Sequence, residues 1–316
     1  MPTQTHQNTK PSSSSTTKSP PANKSNPDSK PSPSAFLHPT HLSRNQTKYT
    51  LIDIRSPPTY TAGHIPGAIN IPFDVPTCTW ISLGPDSLLL EMPEKKEFFT
   101  AMKEAGVAPD HAILVYGGKG NKELPIEQAN VIRVAMTLKV AGYENVGVLK
   151  GGFETWVKEG KEVERGGEKG RGFVEDNNDA FEGMSYDQSV LVGRDYVKSA
   201  IGRAVLLDAR DPDVYHGEVV EEWAEKAGHI PSAKNLPMLD LVDELGDFKD
   251  EEDLKRLVDE VIGEVGEDTE ITTYCGVGGY GSALWFVLTS ILGFKNVKFY
   301  DGSAQDWVRY YDMETT

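Results

Sequence analysis

The chain has 316 residues, room for two ordinary domains, and carries a net charge of −16 at neutral pH with only two cysteines, Cys78 and Cys275. That charge argues against a nucleic-acid partner, because phosphate is repelled by such a surface. Two cysteines exclude a Cys-rich zinc site and a disulfide framework, and no apolar run approaches the roughly 18–20 residues of a membrane span.

Residues 1–45 are rich in Ser, Thr, Pro, Asn and Lys and hold little that could form a core, so a disordered N-terminal extension is predicted. The segment is also Ser-rich and nearly free of acids, as organelle-targeting peptides are. Its first arginine is Arg44 and it has no amphipathic helical pattern, which favours a cytoplasmic protein, with a mitochondrial one as the alternative. Beyond it, short apolar runs at 112–116, 146–149, 205–209, 271–274 and 297–300 alternate with helical patterns at 95–105, 125–141, 251–263 and 283–292. Such alternation predicts an α/β fold, a parallel sheet with helices on both faces. Pro125 suits the first turn of its helix, and Gly142 and Gly293 suit the left-handed residue after a helix end. The helix from Ala283 is apolar nearly all round and should be buried. The one at 125–141 carries Glu127, Gln128, Arg133 and Lys139 and should expose one face.

Most of these elements occur twice. Leu51-Ile52-Asp53-Ile54-Arg55 answers to Leu206-Leu207-Asp208-Ala209-Arg210, and Gly63-His64-Ile65-Pro66 to Gly228-His229-Ile230-Pro231. Asn70-Ile71-Pro72 answers to Asn235-Leu236-Pro237, Val115-Tyr116-Gly117 to Thr273-Tyr274-Cys275, and Gly151 through Trp156 to Gly302 through Trp307. The pairs keep their order, so the chain is a tandem duplication: a first domain at 46–160, a linker at 161–183 and a second domain at 184–316. The second copy is longer by the acidic stretch Glu218–Lys226, which reads as a solvated helix or loop, with an inter-domain contact as the alternative.

Cys275 ends an apolar, β-branched run and is followed by Gly276, Val277, Gly278, Gly279, Tyr280 and Gly281, after which a helix begins. A thiol at that junction faces free backbone N–H groups and the positive end of a helix dipole, a setting that favours thiolate, the nucleophilic form. Tyr280 is expected to be a wall of the pocket. Cys78 has no such setting and reads as an ordinary thiol. His64 and His229 occupy the same turn in both copies, including the copy without the cysteine, which points to structural hydrogen bonding; Asp53 and Asp208 read as turn acceptors. A cysteine phosphatase would need an arginine six residues after the nucleophile, and position 281 is glycine.

Together the two Asp-x-Arg strand ends, the two Gly-His-Ile-Pro turns, the Cys275 loop and the closing Tyr300-Asp301-Gly302-Ser303 with Trp307 resemble the tandem-domain rhodaneses. These sulfurtransferases move a sulfane sulfur through a cysteine persulfide, and the resemblance covers roughly residues 46–312. It implies two rhodanese-like domains, the first silent because Gly117 stands where Cys275 stands. It implies a Cys275 persulfide cradled by the N–H groups of residues 276–281, with Arg210 as the donor-binding arginine and with no metal or organic cofactor. The neutral loop after Cys275 is more like that of 3-mercaptopyruvate enzymes, whereas Trp285-Phe286-Val287-Leu288 and Tyr-Asp-Gly-Ser look more like the thiosulfate branch. The expectation is a small sulfur-containing donor such as thiosulfate and a thiol or cyanide acceptor, with no membrane or nucleic-acid partner. The alternatives are 3-mercaptopyruvate as donor, or a persulfide carrier that delivers sulfur to a partner protein.

Overall fold

The computed structural model describes Met1 and residues 35–119, 126–167 and 178–316. Five parallel strands, β1 (Phe36–Leu37), β2 (Tyr49–Asp53), β3 (Ile69–Asn70), β4 (Ala112–Tyr116) and β5 (Val146–Leu149), form one sheet in the order β1-β5-β4-β2-β3. Five more, β6 (Leu191–Val192), β7 (Val205–Asp208), β8 (Lys234–Asn235), β9 (Ile271–Tyr274) and β10 (Val297–Tyr300), form a second sheet in the order β6-β10-β9-β7-β8. The two orders are the same, and so are the registers: Asp53 lies beside Tyr116 and Asn70, and Asp208 beside Tyr274 and Asn235. The central strands β4 and β9 are buried along their whole length, as strands covered on both faces must be.

Each sheet has a private core on one face. Leu42, Tyr60, Leu114 and Trp156 fill the first; Val197, Leu206, Tyr274 and Trp307 fill the second. The opposite faces of both sheets share one continuous apolar core, in which helix Ile126–Val140 of the first half packs on helix Gly279–Phe286 of the second. That arrangement overturns the expectation of a half-exposed helix at 125–141. Ten of the fifteen residues of Ile126–Val140 are buried, Arg133 among them. The helix has two covered sides because its own sheet lies on one and the second half on the other.

Two further boundaries differ from the sequence reading. Phe36 and Leu37 pair with Val148 and Leu149, and helix Pro39–Asn45 buries Leu42, so residues 36–45 belong to the first domain rather than to the extension. The start of the expected linker is also folded: Glu164 exchanges backbone hydrogen bonds with His64, as Glu314 does with His229 at the end of the second copy. Residues 2–34, Pro125 and linker residues 168–177 lie outside the described residues.

Candidate active site

Cys275 stands just past the C-terminal end of β9, between β7 and β10, where parallel sheets place their ligands. Gly278 caps the helix that follows at φ +94°, a left-handed conformation that lets its N–H turn back and donate to Cys275 Sγ at 3.1 Å. The N–H groups of Val277 and Gly281 also favour the sulfur anion. Gly281 is required by space, since a Cβ there would lie 2.9 Å from the Tyr274 carbonyl carbon. The same contact leaves no room for the arginine of a phosphatase loop.

A second loop, after β10, fixes the first. Cys275 N donates to Ser303 Oγ at 3.2 Å, and the N–H groups of Ala304 and Gln305 donate to the carbonyls of Cys275 and Gly276 at 2.9 and 3.0 Å. The sulfur therefore sits in a preorganised ring of main-chain donors under a helix N-terminus. Cys275 is only 3% exposed, however, and burial is the largest influence on it. It pushes the thiol pKa up; the Gly281, Val277 and Gly278 N–H groups pull it down and the Glu221 carboxylate adds to the rise. The resting thiol is thus held above the ordinary thiol value, contrary to the sequence expectation of a lowered one. A run of glycines shows where amides can point; it does not show that the sulfur is walled off from water.

The first copy has no thiol at the equivalent position, Gly117, and little room for one. A Cβ at Gly117 would lie 2.8 Å from Val131 Cγ2 and 3.3 Å from Ile54 Cγ1.

A sequence model of the rhodanese-like domain matches the chain twice, at residues 39–159 and 194–310. The chain belongs to the rhodanese family. A relative from Saccharopolyspora erythraea, named as a thiosulfate sulfurtransferase, is 34% identical over 79% of this chain and 83% of its own. The sulfur carrier protein TtuD of Thermus thermophilus is 32% identical over 78% of this chain and 83% of its own. Among solved structures, the 3-mercaptopyruvate sulfotransferase SseA of Escherichia coli is 26% identical with a TM-score of 0.67, covering 86% of this chain and 99% of its own. The protein is accordingly a sulfurtransferase of the rhodanese type.

Within this rhodanese the other expected residues are placed as follows. Tyr280 is part-buried beside Cys275, Glu221 and Asp211, and burial pushes its hydroxyl up to about 12, so it stays a neutral wall at physiological pH. His64 and His229 each stack on a tyrosine, Tyr60 and Tyr215, with Nδ1 2.9 Å from that tyrosine's carbonyl oxygen. Both are structural. Arg210 is not a free cation. Its Nε and Nη2 donate to the Asp208 carboxylate at 3.0 and 2.6 Å, Nη2 donates to the Gly228 carbonyl at 2.8 Å, and the side chain is 2% exposed. Arg55 makes the same bonds to Asp53 and Gly63 in the copy without a cysteine, so these bonds belong to the fold; they leave Arg210 Nη1 uncommitted, 3.6 Å from Glu221 Oε2.

Four contributors escaped the sequence reading. Arg133 reaches across from the silent half: Nη1 lies 2.8 Å from Asp301 Oδ1 and 3.5 Å from the Gly278 carbonyl, and Nη2 donates to the Leu90 carbonyl at 2.6 Å. Asp301 in turn accepts from Met92 N at 2.6 Å, and Gln305 brackets Leu89 through both its amide atoms. The silent half thereby braces the loop beside the nucleophile. The last contributor is the acidic insertion. Ala224 is buried, and Glu221 and Trp223 lie against Gly276, so the stretch expected to be solvated covers the cradle. Only the repeat comparison, which marks 218–226 as extra chain just before the Gly-His-Ile-Pro turn, could have pointed to it.

Proposed function

We propose that Cys275 carries the transferred sulfur and that thiosulfate is the donor. In the first step the Cys275 thiolate attacks the outer sulfur of thiosulfate. The S–S bond of the donor breaks, its electron pair leaves with sulfite, and Cys275 retains a persulfide. In the second step a thiolate or cyanide attacks the outer persulfide sulfur, and the Cys275 thiolate departs as the leaving group. The N–H groups of Val277, Gly278 and Gly281 stabilise negative charge on sulfur in both steps, in the manner of an oxyanion hole. The observation that carries the reading is the Gly278 N–H donated to Sγ at 3.1 Å beneath a helix N-terminus. The names of the relatives support the donor class.

Exposed Val219, Val220 and Trp223 at 45, 51 and 41% beside the cradle favour a second reading, in which the acceptor thiol belongs to a protein that docks there. The acid-poor extension without an arginine before Arg44 favours work in the cytoplasm over a mitochondrial address.

The test is intact-mass analysis after incubation with thiosulfate. A gain of one sulfur atom, with release of one sulfite, is expected for the wild type and for Cys78→Ser, and neither for Cys275→Ser. Sulfite release by Cys275→Ser refutes the assignment.

A further inference from the structure

The insertion brings a carboxylate to the mouth of the anion cradle. Were Gly276 to carry a Cβ, that atom would lie 2.7 and 2.8 Å from the two Glu221 carboxylate oxygens and 2.4 Å from Trp223 Nε1. Glu221 thus fills the space a side chain next to the nucleophile would take. Its Oε2 is buried without a hydrogen bond, 3.6 Å from Arg210 Nη1, the one guanidinium nitrogen that Asp208 and Gly228 leave free. Arg210 is paired with Asp208, and Glu221, whose carboxyl burial pushes up while Arg210 pulls it down, adds an acid to this side of the cradle.

We propose that Glu221 is a specificity-determining residue that discriminates donors by charge. Its carboxylate disfavours a second negative charge on the group that leaves with the donor's inner sulfur. The carboxylate therefore shifts selectivity from thiosulfate toward the singly charged thiosulfonates, R–SO2–S⁻, in which a carbon replaces one oxygen, while thiosulfate remains a donor. Transfer from either donor is the same displacement: the outer sulfur bonds to Cys275, the donor S–S bond breaks, and a sulfinate or sulfite leaves with the electron pair. In the charge-free variant the Arg210 Nη1–H group becomes available to a donor oxygen. The inference rests on Cys275 as the sulfur carrier.

The experiment compares thiosulfate and methanethiosulfonate, which are close in shape and differ by one charge, on the wild type, Glu221→Gln and Glu221→Asp. Glu221 also opposes the Cys275 thiolate, so its removal speeds both donors; the ratio of the two kcat/KM values removes that shared factor. In Glu221→Gln the thiosulfate-to-thiosulfonate ratio is expected to rise about tenfold, the scale of one like-charge contact in a half-buried site. Glu221→Asp, which keeps the charge, should hold the ratio near the wild-type value. A ratio unchanged within twofold in Glu221→Gln, or one that rises equally in Glu221→Asp, overturns the proposal while leaving Cys275 chemistry intact. Absence of a Cys275 persulfide in the wild type from both donors overturns the underlying assignment as well.

Discussion

Replacing Arg133 with methionine should both loosen the protein and slow it. The guanidinium is 1% exposed, forms an ion pair with Asp301 Oδ1 at 2.8 Å and donates to the Leu90 carbonyl at 2.6 Å. Removing one partner of a buried ion pair costs about 3–5 kcal/mol, because the other charge stays behind uncompensated. Asp301 is 12% exposed and keeps its bond from Met92 N, so the lower end, about 3 kcal/mol, is the expectation. The catalytic consequence comes through Gly278, whose carbonyl faces Arg133 and whose N–H donates to Sγ. Loss of one hydrogen bond to a charged sulfur is worth about 1.5–3 kcal/mol, or about 10–150-fold in persulfide formation. Urea unfolding followed by tryptophan fluorescence measures the first effect, and single-turnover sulfite release the second. Arg133→Met combined with Asp301→Asn removes the stranded charge and should recover about half of the lost stability without restoring the rate. A single variant within about 1 kcal/mol of wild type, or a double variant no more stable than the single, refutes this account.

Glu91 carries a pH signature. Burial and repulsion from Asp301 push its carboxyl up to about 8, against the pull of Arg133. The folded state therefore holds this proton more tightly than the unfolded chain, so stability is fullest below the unfolded value near 4.5 and falls as pH rises toward and through 8. Glu91→Gln should remove that loss, a relative gain of about 5 kcal/mol at pH 9 and little below pH 4; parallel curves of stability against pH for the two proteins contradict it. In a Cys78→Ser background, alkylation of Cys275 by iodoacetamide should accelerate with a midpoint above that of an ordinary thiol, about 8.5, and Glu221→Gln should lower it. A midpoint below that value shows that the N–H ring outweighs burial. Gly117→Cys should give the first half no sulfur-carrying activity and cost about 1–3 kcal/mol through the contacts with Val131 and Ile54, read as a lower urea midpoint and a single added sulfur by mass.

Local chemistry made much of this protein legible. The strand ends at Asp53 and Asp208 and the glycine loop after Cys275 are short-range patterns, and their recurrence shows the duplication. The misreadings share one cause, which is that burial by distant chain leaves no local mark. Arg133 looks like a solvated charge because its partner Asp301 lies in the other half of the molecule. Glu221 looks like one more acid in an acidic stretch, although the loop folds back onto Gly276. Phe36 and Leu37 are two apolar residues next to a Ser- and Pro-rich run, too short to announce a strand without β5 beside them. The pairing of Arg210 with Asp208 was different, since its structural part was present in the sequence. The Asp-x-Arg pair occurs in the copy that has no nucleophile, and a residue needed only for catalysis would have no reason to persist there.

The same comparison of copies explains what the silent half is for. Arg133 precedes Gly142 by nine residues and Leu284 precedes Gly293 by nine, so the two occupy one position of the repeat on the two helices that meet at the shared core. In the catalytic half that position is filled by a buried leucine, which packs but cannot hold a carbonyl. In the first half it is an arginine that donates to the Leu90 carbonyl, pairs by charge with Asp301 and faces Gly278. A helix as apolar as Gly279–Phe286 must be covered to persist in water, and the first half covers it. The brace beside the nucleophile is therefore made at an interface that hydrophobic burial already requires, and the first half could lose its sulfur chemistry while remaining indispensable to that of the second.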